Sequence, residues 1–373
     1  MADGTTQRAE LPPQASVIRL GYVGAGFMAQ SVHLPNFAAL SGCRLVALAE
    51  KRPALAQKVA GRFGIPKVYP THLALADDAN VDAVAVSADY AQQGEIAAAL
   101  LRAGKPVFME KPMAVSLRQA HRILEAERAG KARLMVGYMK RYDPANRLAR
   151  ETIRRWRQEA AKGRLLFARA HGFCGDWLAG LDASGLIRTD EPLETISSAH
   201  LLPEWLPADY HRAYLEYLQQ FTHNLNLLRF LLDVTHQDQL EVRSVDLDPD
   251  GFTGVVTLRL GGTRCALESG RTGFHGWEEH TQLYFEGGWV RVSPGPFFAR
   301  PSTGQVELYE ARDGGAYRYP SPQPMAAWHY REEAAHFVAR LENGAPFDSS
   351  GQDALLDVWL FEQIYRQHLG LTS

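Results

Sequence analysis

From residue 17 onward, short apolar runs alternate with segments whose apolar residues recur at helical spacing. Residues 17–23, 44–49, 81–86, 106–109 and 133–137 are near-continuous apolar stretches of strand length. That pattern suits strands buried on both faces. Between them, 27–40, 53–63, 94–103 and 116–129 carry helical patterns. Pro53 stands at a first turn, Gly64 and Gly104 follow helix ends, and Ser116 is a candidate N-cap. Strands separated by helices predict a parallel sheet covered on both sides.

Past about residue 145 the pattern changes. Residues 144–161 form an Arg-rich helix and 165–170 a strand, and 175–210 have no clear period and contain Pro192, Pro203 and Pro207. An irregular stretch of that length predicts a binding loop. Residues 215–232 place Leu215, Leu218, Phe221, Leu225, Leu228 and Leu232 on one helical stripe. From 240 to about 310 strands follow one another, including 254–260, 263–269, 281–285 and 289–292, which predicts an antiparallel sheet. Two helices, 326–341 and 352–368, close the chain. The predicted fold class is α/β: a domain with a covered parallel sheet, then an α/β domain with a mainly antiparallel sheet. The expected division is a disordered tail over 1–16, a first domain over 17–143 and a second over 144–373.

Composition narrows this picture little. The chain has 373 residues, 46% of them hydrophobic, and a net charge of −2, which gives no global field toward nucleic acid or membrane. The arginines of 144–161 are interrupted by Glu151 and Glu159 and read as a solvated face. Three cysteines without CxxC spacing suit a reducing compartment. No apolar run reaches membrane-spanning length and the first residues lack a signal-peptide pattern, so a cytoplasmic protein is expected. The 13 histidines form no compact ligand motif, so no metal is expected.

Gly24-Ala25-Gly26-Phe27-Met28-Ala29 fits GxGxx(G/A) at the first strand-to-helix turn, where glycines let a pyrophosphate approach a helix N-terminus. Glu50 ends the second strand, where a carboxylate accepts hydrogen bonds from ribose hydroxyls and favours NAD. Lys51 and Arg52 follow and suit a 2′-phosphate, so NADP stands as the alternative.

Further segments carry a family resemblance. Met109-Glu110-Lys111-Pro112, then Gly137 to Pro144 (GYMKRYDP), then His223 within Phe221 to Arg229 (FTHNLNLLR), and a late Gly-Trp-Glu-Glu at Gly276 to Glu279, occur in this order. The set resembles the Gfo/Idh/MocA oxidoreductases and covers nearly everything after residue 17. The resemblance implies a Rossmann dinucleotide-binding domain over 17–143 and, over 144–373, a substrate-binding and oligomerisation α/β domain with a large, mainly antiparallel open sheet. The resemblance implies a dehydrogenase or reductase acting on CH–OH groups of a sugar, cyclitol or related polyol. It places Lys111 beside nicotinamide and substrate hydroxyl, with His223 exchanging the hydroxyl proton. It also implies a homodimer or homotetramer. Gln219, His223 and Asn226 share a helical face. Gln219 stands where the family has Asp, and Phe221 where it has a small residue; Glu216 is a weaker substitute for the missing carboxylate. Ser87 and Ala88 are expected to contact the cofactor through their backbone, and Gln93 stands in place of a family histidine. Glu110 belongs to the same cofactor-side group. Arg141, Tyr142, Asp176, Trp177 and Asn224 are candidate substrate contacts, and His200 and His211 lie in the irregular stretch as further ones. The missing Asp leaves two alternatives: a redox-neutral enzyme that uses tightly held NAD for elimination or bond cleavage, and a noncatalytic NAD-binding regulator.

Overall fold

The computed structural model describes residues 17–371 apart from 91, 161, 177, 179, 180, 193–196, 274, 275, 301, 313, 314 and 321–326. The tail over 1–16 and Trp177 therefore lie outside the described residues. The first sheet is built from β1 (Ile18–Val23), β2 (Cys43–Ala49), β3 (Lys67–Tyr69), β4 (Ala83–Val86), β5 (Val107–Glu110) and β6 (Leu134–Gly137). Its order is β3-β2-β1-β4-β5-β6, every pair parallel. The strand order reverses between β1 and β4. There the carboxyl ends of two neighbouring strands open a crevice, the usual ligand position in such sheets.

The helices between these strands start and stop as the sequence signals predict. After β1 a π-helical turn, Ala29–His33, leads into α1 (Leu34–Ala38). Helix α2 (Pro53–Phe63) begins at its proline and stops at Gly64, whose φ is 65°. Between α2 and β4 come β3 and α3 (His72–Ala76), two short elements that periodicity did not reveal. Then follow α4 (Gln93–Arg102) and α5 (Leu117–Gly130). Ser116 caps α5 by accepting a hydrogen bond from the Gln119 N–H.

The second sheet follows α6 (Pro144–Gln158). It contains β7 (Leu165–Cys174), β8 (Leu240–Leu247), β9 (Gly254–Leu260), β10 (Thr263–Arg271), β11 (Trp277–Phe285), β12 (Gly288–Ser293), β13 (Gln305–Arg312) and β14 (Gly315–Pro320), with α7 (His211–Leu232) between β7 and β8. The order is β14-β13-β12-β11-β7-β10-β9-β8; only β7 with β10 is parallel. Along β7, buried Ala168, Ala170 and Cys174 alternate with half-exposed Phe167, Arg169, His171 and Phe173. One face packs on α6 and α7, and the other carries rings and charges. The last two helices are α8 (His329–Asn343) and α9 (Gly351–His368).

Among the described residues, four apolar clusters fill the space between these layers. A charged network lies among them. Arg229 of α7, fully buried, pairs with Asp353 and Asp357 of α9, both contacts at 2.7 Å. Asn226 donates to Asp357 at 2.6 Å. This network clamps α7 to α9. The three cysteines are buried and unpaired, and burial pushes each thiol up to about 12. Among the described residues, no helix is long and apolar enough to cross a membrane.

Candidate active site

The glycine loop after β1 lies at the reversal of strand order. Gly24 has φ 96°, and a Cβ there would sit 2.3 Å from the Ser87 carbonyl oxygen. Only glycine satisfies both conditions. Gly26 is exposed, and a Cβ there would meet nothing within 4 Å. The loop is thus locked on its inner side and open on its outer side, which fits an approaching pyrophosphate. Ser87 and Ala88 follow β4 beside it, with the Ser87 hydroxyl 2.8 Å from that of Tyr22. Phe27 and Met28 are half-buried; Phe27 meets Phe298 edge-on at 5.4 Å.

Glu50 is buried and accepts from the Ala25 N–H at 2.9 Å and from the Arg52 side chain at 2.8 Å. Burial opposes its charge, but the Arg52 and Ala25 hydrogen bonds prevail and hold the carboxyl below its ordinary range. Its role therefore includes bracing the glycine loop. Arg52 is folded onto Glu50, while Lys51 is exposed.

The second half of the site rises from β5. Lys111 follows the end of that strand, and Lys111–Pro112 is a cis peptide. Gln93, expected on the cofactor side in place of a histidine, is instead buried behind this turn. Its Nε2 donates to the carbonyls of Glu110 at 2.7 Å and Pro112 at 3.0 Å. Lys111 Nζ reaches across to α7 and donates to the backbone carbonyl of Gln219 at 3.0 Å. Burial lowers Lys111 to about 8, with Glu110 pulling it up and Lys140 pushing it down.

His223 lies one turn along α7 from Gln219 and is partly exposed. Its pKa falls well below the ordinary histidine value, first through burial and then through the charges of Lys111, Lys140 and His329. A histidine so placed is neutral at pH 7 and carries a lone pair ready for a proton. Gln219 is also partly exposed. Its backbone holds Lys111, a contact open to any side chain at that position.

Lys140, Glu279, Trp277 and His329 complete the wall, and the sequence assigns none of these four a role. Lys140 and Glu279 form a buried ion pair. Asn224, expected to touch substrate, is buried and donates to Glu279 at 3.1 Å. Trp277 Nε1 donates to the other oxygen of Glu279 at 3.0 Å. His329 of α8 is buried, its Nε2 has no partner among the described residues, and burial and Lys140 lower it to about 3. Lys140 and Glu279 stood inside the segments that carried the resemblance. His329 belongs to no motif, and only the packing of α8 brings it here.

Several expected substrate contacts are used elsewhere. Arg141 is buried, bound to Asn226 Oδ1 at 2.6 Å and paired with Asp353 at 2.7 Å. Tyr142 is fully buried, its hydroxyl 2.8 Å from that of Ser349. Both follow β6 and turn into the interface with α8 and α9, where a charge needs a counter-charge and a ring needs burial. Asn226, expected beside His223, turns into the same network. Asp176 is exposed and accepts from the Leu178 N–H at 3.0 Å. Glu216 pairs with Arg212 and Arg271. His200 is exposed, and His211 lies 3.3 Å from the Leu206 carbonyl.

Residues 18–138 match the oxidoreductase family with an NAD-binding Rossmann fold. The chain is 36% identical over 129 residues to an inositol 2-dehydrogenase of Acidothermus cellulolyticus, covering 34% of this chain and 38% of that protein. It thus spans about two fifths of the length of that relative. An inositol 2-dehydrogenase of Rhizobium meliloti aligns over 361 residues at 25% identity, covering 94% of this chain and 96% of the relative. Among solved structures, a 3-ketoreductase from Actinomadura kijaniata with NADP and TDP-benzene superposes with a TM-score of 0.69 at 20% identity, covering 94% of this chain and 97% of that one. That likeness is one of fold. Residues 18–138 are thus similar to the NAD-binding Rossmann domain of the Gfo/Idh/MocA oxidoreductases, and the 25% alignment carries the likeness over most of the remaining chain.

Proposed function

We propose that this protein transfers hydride between a nicotinamide cofactor and a carbinol or carbonyl carbon of a sugar, cyclitol or related polyol. The observation that carries this reading is the meeting of Lys111, from the end of β5, with the turn of α7 that leads to His223. When bound, the nicotinamide supplies the hydride acceptor or donor at its C4. In oxidation, neutral His223 takes the hydroxyl proton. Lys111, protonated below about 8, donates to the same oxygen and stabilises the alkoxide charge as it develops. In reduction the two roles reverse. Gln219 orients Lys111 through its carbonyl, and Asn224 and Trp277 hold Glu279 against Lys140. Lys140 in turn depresses both Lys111 and His223.

Gly24, Gly26, Phe27, Met28, Ser87 and Ala88 line the proposed dinucleotide site. NAD is the preferred cofactor: Glu50 follows β2, where a carboxylate suits ribose hydroxyls, and its ion pair engages the Arg52 guanidinium that a 2′-phosphate would need. The outer face of the second sheet is the proposed homo-oligomer contact, since His171 stacks there on His280 at 4.9 Å and Trp289 on Tyr309 at 5.7 Å. Light scattering that returns a monomer would remove this contact.

The test is nicotinamide absorbance with NAD and then NADP across a panel of sugars and cyclitols, with Lys111→Ala as control. Substrate-dependent reduction that disappears in the variant supports the reading. Cofactor bound in saturating fashion, with no reduction by any panel member, counts against it.

A further inference from the structure

Behind the Glu110–Lys111 turn, three ionisable side chains converge from three elements. They are His33 of the π-helical turn, Glu110 at the end of β5, and Glu333 of α8. One nitrogen or oxygen of each lies within 4.8 Å of the others, and all three residues are buried. The proposed chemistry uses none of them directly.

Hydrogen bonds are unevenly shared within this group. Glu110 Oε1 lies 2.7 Å from His33 Nε2, and its Oε2 accepts from the Lys111 N–H at 3.1 Å. Among the described residues neither oxygen of Glu333 has a partner, and His33 Nδ1 has none. A buried bare lone pair is easier to leave than a buried N–H. His33 therefore carries its hydrogen on Nε2 and donates it to Glu110. Glu110 receives a donor on each oxygen and Glu333 receives none, so Glu110 is the member equipped to carry charge. Among the described residues, the ionisable groups that face Glu333 are Glu110, His33, Tyr22 of β1, Tyr142 after β6, and Tyr330 on its own helix. None is a lysine or arginine. A carboxylate there would have no donor and no cation, beside another negative group.

We propose that Glu333 is held as a neutral carboxylic acid against an ionised Glu110, a positioning residue whose retained proton keeps Glu110 in place behind Lys111. Burial, then the Glu110 charge, push Glu333 well above the ordinary glutamate range. The proton keeps a second negative charge from forcing Glu110 off the Lys111 N–H. Gln93 holds the same turn from the other side through the Glu110 and Pro112 carbonyls. A divalent cation is the other way to neutralise a histidine and two carboxylates. The 2.7 Å between His33 and Glu110 argues for the proton. Two atoms bound to one metal at about 2.0–2.2 Å stand roughly 3 Å or more apart.

The experiment is urea unfolding of the full chain as a function of pH, for wild type, Glu333→Gln and Glu333→Met. In the unfolded chain Glu333 ionises near about 4.3, whereas the folded chain keeps the proton. Above that pH the fold binds one more proton than the unfolded chain. This residue then raises the unfolding constant about tenfold per pH unit, until Glu333 ionises in the fold. Between about pH 5.5 and about pH 7.5, the ratio of wild-type to variant unfolding constants is expected to rise about 100-fold for both variants. Parallel pH dependences for wild type and variants overturn the proposal. So does a stoichiometric divalent metal in the purified protein by elemental analysis. Failure of both variants to fold also overturns it, because an unpartnered neutral acid is replaceable by an amide or a thioether. The stability readout does not depend on the proposed activity, so the two readings fail separately.

Discussion

The proposed nucleotide edge and the proposed substrate wall are built on different principles. At the nucleotide edge, backbone shape does the work. Gly24 turns at φ 96° against Ser87, Gly26 leaves an open approach, and Glu50 ties the Ala25 N–H in place. At the wall, charge does it. Lys111, Lys140, His223 and His329 act on one another through a poorly solvated space, with Glu279 as counter-charge. Substitutions at the edge are therefore expected to affect binding through sterics, and those at the wall to affect rate and pH dependence.

The largest expected effect is at the edge. Gly24→Val places a branched side chain in a left-handed conformation and against the Ser87 carbonyl. Titration by NADH fluorescence should show no saturable binding; ordinary affinity would break the steric account. Next comes Lys111→Ala, expected to lower kcat/KM by about two to four powers of ten. The dinucleotide dissociation constant should move by no more than a few-fold. A variant that loses cofactor binding instead would place Lys111 on the edge side of the comparison.

Glu279→Leu leaves Lys140 buried without its counter-charge. Denaturant unfolding should show a loss of about 3–5 kcal/mol. A neutral outcome would mean that Lys140 finds water or another partner. A smaller effect is the pH profile of oxidation. Lys111 donates only when protonated, so the rate should fall above about 8, by up to tenfold per pH unit. His223 must be neutral, and its depressed pKa keeps it so, which moves the acid limb well below the ordinary histidine value. A limb near pH 6.5 would show that His223 titrates as in water. The smallest effect is expected for Glu50→Gln. It should weaken NAD binding and narrow the preference over NADP, without abolishing either, measured as the ratio of dissociation constants.

The first sheet was readable almost strand by strand. Buried parallel strands leave continuous apolar runs, and Pro53, Gly64 and Ser116 mark their helices by local chemistry. Strand β3 and helix α3 escaped because three- and five-residue elements carry too little periodicity. In the second sheet, alternation showed strands but not their neighbours. That β7 pairs in parallel with β10 is a long-range fact with no local mark. Among the site residues, motif membership picked out Lys111 and His223 as chemical candidates. It suggested substrate roles for Arg141 and Tyr142, which the fold turns inward to Asp353, Asn226 and Ser349. A polar side chain beside a motif looks the same in sequence whether it faces a cleft or a buried partner.

The sequence alone therefore determined the class of fold, the glycine turn, the carboxylate ending β2 and the family pattern, because each depends on neighbours a few residues apart. Tertiary structure decided which polar groups face one another. It spent Gln93 on the Glu110–Pro112 turn, gave Lys111 the Gln219 carbonyl, set Lys140 against Glu279, and brought Glu333 to Glu110 from a helix more than two hundred residues away. Charge and hydrogen bonding act through space over a few ångströms, and in a buried site their sign and strength depend on partners that separation along the chain does not reveal.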